Sequence, residues 1–145
     1  MALLSRLGAA LPTVFPAHPR TSKRLDDLGL RAALAAAPGL HLCEPLGYRE
    51  ALGLFSEARF VLTDSGGLQE ETTHLGVPCI TLRPSTERPV TVTRGTNTVV
   101  GEDLAAAWAA VAEVLAGRAK TPSPIDGWDG RAAERIADEL LAAWS

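Results

Sequence analysis

The stretch Phe60-Val61-Leu62-Thr63-Asp64-Ser65-Gly66-Gly67-Leu68-Gln69-Glu70-Glu71-Thr72-Thr73-His74-Leu75-Gly76-Val77-Pro78-Cys79-Ile80-Thr81-Leu82 decides the fold. Phe60 to Thr63 is an apolar run too continuous for a strand exposed on either face, which predicts a buried, central strand. Gly67 to His74 reads as a short helix stopped by Gly76 and Pro78, and Cys79 to Leu82 is a second buried strand. A strand, a helix and a parallel strand in that order make a β-α-β unit.

The pattern continues on both sides of this unit. Toward the N-terminus, Thr13 to Pro16 and Leu40 to Cys43 are short strands. Between them a helix is predicted from Ser22, with Leu25, Leu28, Leu30 and Leu34 near helical spacing and an end before Pro38-Gly39. Tyr48 to Ala58 is a helix expected to turn Ala51, Leu52 and Phe55 inward, and the first ten residues form an amphipathic helix. Toward the C-terminus come a loop from Arg83 to Gly95, a strand at Thr98 to Val100 and an alanine-rich helix from Leu104 to Leu115. A Gly- and Pro-containing connection from Gly117 to Gly130 leads to an amphipathic helix from Arg131 to Trp144. The fold class is α/β, a Rossmann-like parallel sheet with flanking helices.

A chain of 145 residues, 46% apolar and 21% charged, suits a single globular domain with one core. Its formal net charge of −3 gives no broad positive field, so nucleic acid and anionic membrane surfaces are poor candidate partners. No apolar run approaches the roughly 18 residues of a membrane-spanning helix. Ser5, Arg6 and Gly8 interrupt the N-terminal apolar residues, which argues against a signal peptide and for a cytoplasmic protein. Cys43 and Cys79 are far apart in apolar segments and read as reduced thiols. His18, His41 and His74 show no metal-ligand spacing, so no metal is expected.

The chemistry concentrates at Asp64 to Glu71. A helix's first turn has unpaired N–H groups and a partial positive charge, so Ser65, Gly66 and Gly67 can hold a phosphate without a lysine. Glu71 lies one helical turn beyond Gly67 on the same face, placed to accept from the two hydroxyls of a ribose. The same residues also fit a plainer role, in which Ser65 only caps the helix and Glu70 and Glu71 complement its dipole. Arg83 and Thr86-Glu87-Arg88-Pro89 follow the next strand and so emerge at the same carboxyl edge, where open α/β sheets bind ligands. Arg88 there can offset diphosphate charge, or can belong to a solvated loop paired between Glu87 and Arg88. His18, framed by Pro16 and Pro19, is either a ligand contact or a hydrogen-bonding group of its turn.

Taken together, Thr63-Asp64-Ser65-Gly66-Gly67, Gln69-Glu70-Glu71, Leu75-Gly76-Val77-Pro78, Arg83, Thr86-Glu87-Arg88-Pro89, Gly95-Thr96-Asn97 and Pro16-Ala17-His18-Pro19-Arg20-Thr21 resemble the non-hydrolysing UDP-N-acetylglucosamine 2-epimerases. The resemblance covers Thr13 through Gly101 and, loosely, the final helices. It implies the C-terminal domain of a two-domain fold like that of the glycosyltransferase-B enzymes. The first domain, the strand that opens the second domain and a Gly-His-Arg-Arg-Glu-like motif are expected to lie outside this sequence, so residues 1–145 are read as a partial UDP-binding domain.

The implied reaction converts UDP-N-acetylglucosamine to the manno epimer by anti-elimination of UDP and re-addition, without a cofactor. Its acid and base carboxylates belong to the first domain in the family, so none here carries that role. Ser65, Gly66 and Gly67 would hold the diphosphate, Glu71 the ribose, and Arg88 the phosphate side. His18 matches a histidine lining a second, activating UDP-sugar site in bacterial members. Ala51 stands where an aromatic residue near the uracil is common, and Val90 where Glu is frequent. The family is typically dimeric. The competing readings are a non-catalytic UDP-sugar-binding module and the donor-binding half of a glycosyltransferase, which shares the fold and the glycine turn.

Overall fold

The structure, a computed structural model, describes residues 2–144. The chain divides into two compact units, with the boundary between Leu54 and Phe55.

In the first unit, helix α1 (Ala2–Ala10) precedes strand β1 (Thr13–Pro16), and helices α2 (Pro19–Asp27) and α3 (Arg31–Ala35) lead to strand β2 (Leu40–Cys43). Helix α4 (Tyr48–Ser56) follows and crosses the boundary. β1 and β2 pair in parallel, Thr13 opposite Leu40 and Pro16 opposite Cys43. The core is apolar throughout: Leu3 and Leu7, one turn apart on α1, are buried with Ala17, Leu34 and Leu40. Both strand limits fall where the sequence predicts.

The single helix expected from Ser22 is two helices. It begins earlier, at Pro19, because proline's fixed φ suits the first helical position and His18 caps the end. It breaks at Gly29, whose φ of 64° lies in the left-handed region and cannot continue a right-handed helix. Ala51, Leu52 and Phe55 on α4 are only half-buried. Among the described residues β1 pairs with β2 alone.

The second unit holds a three-stranded parallel sheet of β3 (Val61–Thr63), β4 (Cys79–Thr81) and β5 (Asn97–Val99), in that order. Helix α5 (Gly66–Leu75) connects β3 to β4, and the short α6 (Pro89–Thr93) lies between β4 and β5. Helices α7 (Leu104–Leu115) and α8 (Ala132–Ala143) complete it. Among the described residues the middle strand is β4, with all three residues buried, whereas β3, expected to be central, pairs with β4 alone and buries only Val61. The difference is pairing: β4 bonds a neighbour on each side, β3 on one.

Residue alternation turns Cys79 and Thr81 toward α5 and Ile80 toward the opposite face. There α7 packs its buried stripe of Ala107, Val111 and Val114. Gly76, at φ 73°, caps α5 where the sequence predicts its end. The Arg83 to Gly95 loop is not wholly irregular. Pro89 at the first position and a hydrogen bond from Thr91 Oγ1 to the Arg88 carbonyl (2.7 Å) start α6 within it, against the β-branched composition of Val90 to Thr93. Burial pushes the Cys79 thiol above its ordinary pKa, while Cys43 is half-buried. No helix among the described residues is long and apolar enough to cross a membrane.

Candidate functional site

The carboxyl edge of β3 and β4 carries the site. β3 ends at Thr63, the chain turns through Asp64 and Ser65, and α5 begins at Gly66. Ser65 occupies the N-cap position with an extended backbone (φ −82°, ψ 131°), but its side chain makes no capping hydrogen bond. Its own N–H donates to Thr63 Oγ1 at 3.0 Å. Two other helices contrast with this: Asp103 Oδ1 accepts from Ala105 and Ala106 N–H at the start of α7, and His18 Nδ1 accepts from Arg20 N–H at the start of α2. The first-turn N–H groups of α5 are therefore not satisfied by the serine above them, which is the arrangement an anion site requires.

Gly66 has one close neighbour. A Cβ built on it would stand 2.6 Å from Glu87 Oε1, whereas one on Gly67 would meet nothing within 4 Å. The Glu87 carboxylate thus lies against the entrance to the turn. It is held below the usual carboxylate range, first by its own backbone N–H and then by Arg83, whose Nη1 is 2.9 Å away.

Arg88 pairs with Glu70 on α5, Nε to Oε1 at 3.0 Å, without an aligned hydrogen bond. This corrects the expected loop pairing between Glu87 and Arg88: the ion pairs are Arg83 with Glu87 and Arg88 with Glu70. Glu70 and Glu71 also lie beyond the first turn of α5, so neither supplies the dipole-complementing charge of the plainer reading. Glu71 is half-buried, four residues after Gly67, and its carboxylate has no hydrogen-bond or ion-pair partner among the described residues. Ser65, Gly66, Gly67, Glu71 and Arg88 thus belong to one edge of one sheet. His18 lies in the first unit, exposed, at the N-cap of α2.

Sequence reasoning missed the polar interior beneath this edge. Gln69, Thr81, Thr91 and Asn97 are each 0% exposed. Gln69 Nε2 donates to the Ser65 carbonyl (3.3 Å), and Gln69 Oε1 accepts from Thr86 Oγ1 (2.5 Å) and Asn97 Nδ2 (2.9 Å). Asn97 Oδ1 accepts from Thr81 Oγ1 (2.7 Å). The one available signal was Asn97 itself, a strand-disfavoured residue at the start of a β-branched run. Lys120 was missed too: its ammonium donates to the Val92 and Asn97 carbonyls (2.8 and 2.7 Å), and burial lowers its pKa.

Among the described residues, a hollow of about 180 Å³ lies beside Ile80 and Val114, and another of about 220 Å³ beside His74 and Trp128. Neither includes a residue of the Ser65 turn. An anion held by convergent N–H groups needs no deep pocket, so the chemistry of the turn outweighs the shape of the hollows. No group of three or more possible metal ligands occurs among the described residues.

A family model described as UDP-N-acetylglucosamine 2-epimerase matches residues 1–141. The UDP-N-acetylglucosamine 2-epimerase of Methanocaldococcus jannaschii is 43% identical over 123 residues, 85% of this chain and 33% of that protein. Its crystal structure in complex with UDP-GlcNAc and UDP superposes with a TM-score of 0.75 at 42% identity, over 89% of this chain and 35% of that one. A UDP-2,3-diacetamido-2,3-dideoxy-D-glucuronate 2-epimerase of Pseudomonas aeruginosa is 41% identical over 90 residues, 62% of this chain and 24% of that protein. The chain spans a quarter to a third of the length of these curated relatives. The parallel α/β fold, the glycine turn at the head of α5 and a family match over almost the full length agree: the chain belongs to the UDP-N-acetylglucosamine 2-epimerase family.

Proposed function

We propose that this chain is part of the C-terminal, UDP-binding domain of a UDP-N-acetylglucosamine 2-epimerase and supplies the grip on the nucleotide. The observation that carries the proposal is the head of α5, where a serine stands at the N-cap and does not cap. Gly66 and Gly67 let a diphosphate approach the first-turn N–H groups, and the Ser65 hydroxyl adds a donor. Glu71 accepts from the ribose hydroxyls. Arg88 exchanges part of its exposed pairing with Glu70 for the phosphate side, where a guanidinium can bind two oxygens at once.

In the reaction so assigned, a carboxylate removes the proton at carbon 2 while the carbon 1–oxygen bond breaks and its electron pair leaves with UDP. Re-addition of UDP to the glucal, with protonation of the opposite face, gives the epimer. The residues of this chain stabilise the charge that grows on the departing diphosphate, through the α5 dipole and Arg88. No cofactor enters. We further assign the protein to the cytoplasm, His18 to a second, regulatory UDP-sugar site, and the assembled enzyme to a homodimer.

Calorimetric titration of UDP tests the nucleotide site. Glu71→Ala is expected to weaken binding about tenfold or more, the loss of hydrogen bonds to a charged acceptor. Equal affinity in both proteins would sink the ribose assignment. A purely binding role for the isolated chain is favoured by one observation: two carboxylates of this edge, Glu70 and Glu87, are engaged by arginines and so are not free to act as acid or base. Hydrogen exchange at carbon 2 of UDP-N-acetylglucosamine in deuterated water separates catalysis from binding, and transfer of the sugar to an acceptor would indicate a glycosyltransferase.

A further inference from the structure

We propose that Gln69 and Thr86 are positioning residues for Arg88, which they fix relative to the anion turn; this rests on the assignment of Arg88 to the diphosphate. The hydrogen bonds around Arg88 form a closed ring that begins and ends at one atom, Gln69 Oε1. On one side Thr86 Oγ1 donates to Gln69 Oε1 (2.5 Å) and accepts from the Arg88 N–H (3.0 Å). On the other, Asn97 Nδ2 donates both to Gln69 Oε1 (2.9 Å) and to Thr91 Oγ1 (3.0 Å), whose hydroxyl donates to the Arg88 carbonyl (2.7 Å). Both backbone groups of Arg88 are therefore held by side chains.

The ring is tied to the turn as well. Gln69 Nε2 donates to the carbonyl of Ser65, the residue that opens α5 (3.3 Å). A single buried amide thus sets the spacing between the helix terminus and the backbone of the arginine that follows the next strand. The Arg88 side chain is 41% exposed, its buried Nε has no aligned hydrogen bond, and among the described residues its one ion pair is with Glu70, so side-chain contacts alone hold the guanidinium loosely. A planar donor that must meet two phosphate oxygens gains from a preset backbone, because misdirection removes one of the two bonds. In a low-dielectric interior such a ring is stiff when every member is satisfied, and here each bridging hydroxyl both donates and accepts.

The test uses the full chain and UDP. Thr86→Val keeps the shape and removes the hydroxyl between Gln69 and Arg88, and Thr86→Ser keeps the hydroxyl. Thr86→Val is expected to raise the Kd for UDP about tenfold, Thr86→Ser to restore it, and Thr86→Val to add nothing once Arg88→Ala is present. An unchanged Kd in Thr86→Val, or an equal loss with and without Arg88, overturns the positioning role and leaves the nucleotide site standing. Failure of the parent chain to bind UDP, or an Arg88→Ala protein that binds as well as the parent, overturns the site reading and this inference with it.

Discussion

The two units of the chain build their interiors from different materials. In the first, every buried residue is apolar or glycine: Leu3, Leu7, Gly8, Ala17, Leu34 and Leu40. In the second, seven polar residues are buried among those described, all between Gln69 and Asn97. Apolar contact is non-directional and tolerates small displacements, whereas hydrogen bonds fix distance and angle. A polar interior placed directly beneath the carboxyl edge of the sheet holds that edge in one geometry, and the first unit shows that strand and helix packing alone does not require it.

Truncation probes the contrast most strongly. Leu34, fully buried in the first unit, is expected to lose about 3 kcal/mol as Leu34→Ala, through lost transfer energy and the cavity left behind. Gln69→Leu, which preserves apolar bulk, is expected to cost about 2–3 kcal/mol in the second unit, because Thr86 and Asn97 lose their shared acceptor. Urea denaturation measures both. A Gln69→Leu protein as stable as the parent would erase the distinction, since its interior would then behave as an apolar one.

The contrast also explains what could be read in advance. β1, β2 and α7 fall at their predicted limits, because short β-branched or apolar runs between turn residues, and an alanine-rich run behind an acidic cap, leave few alternatives. The break at Gly29 was hidden by leucines whose spacing still fits one helix, and α6 by a Val-Thr-Val-Thr composition that does not favour helix. At the candidate site, the placement of the turn, Glu71 and Arg88 at one sheet edge was legible because position at a strand end follows from local order. The partners of Arg88 were not. Glu70 lies 18 residues earlier in the chain, and an amide such as Gln69 has the composition of a surface residue, so only the folded chain reveals its burial.

At the edge itself, Gly66→Ala separates folding from binding. The added methyl would meet Glu87 Oε1 at 2.6 Å, the far end of a side chain that can rotate, so stability should change by less than about 1 kcal/mol. On the proposed function the same methyl stands at the head of α5, where the diphosphate would approach the first-turn N–H groups. UDP affinity is therefore expected to fall about tenfold, the loss of a close charge-assisted contact. Retained affinity would show that the diphosphate does not come this close to α5, and the polar interior would then lack the function assigned to it.

The smallest effect belongs to the part of the second unit outside its polar core. α8 buries no residue, and Ile136, Leu140 and Leu141 are exposed. Its start is organised by Asp129, which accepts from Arg131 N–H (3.1 Å) and from both terminal nitrogens of Arg135. Arg135 first, and then the Arg131 N–H, lower the Asp129 pKa from 3.8 to about 2. A carboxyl depressed on folding contributes stability above its unfolded pKa and loses it as pH falls through the folded one, so this anchor should release between about pH 4 and 2. Asp129 is solvent-exposed, which limits the consequence to local fraying. Amide hydrogen exchange in α8 should quicken across that window and in Asp129→Asn at neutral pH, while the amides of α5 and β4 remain unaffected. Equal acceleration in α5 would mean that the exposed helix and the polar core open together, and that the interior beneath the site is less independent than its closed ring of hydrogen bonds implies.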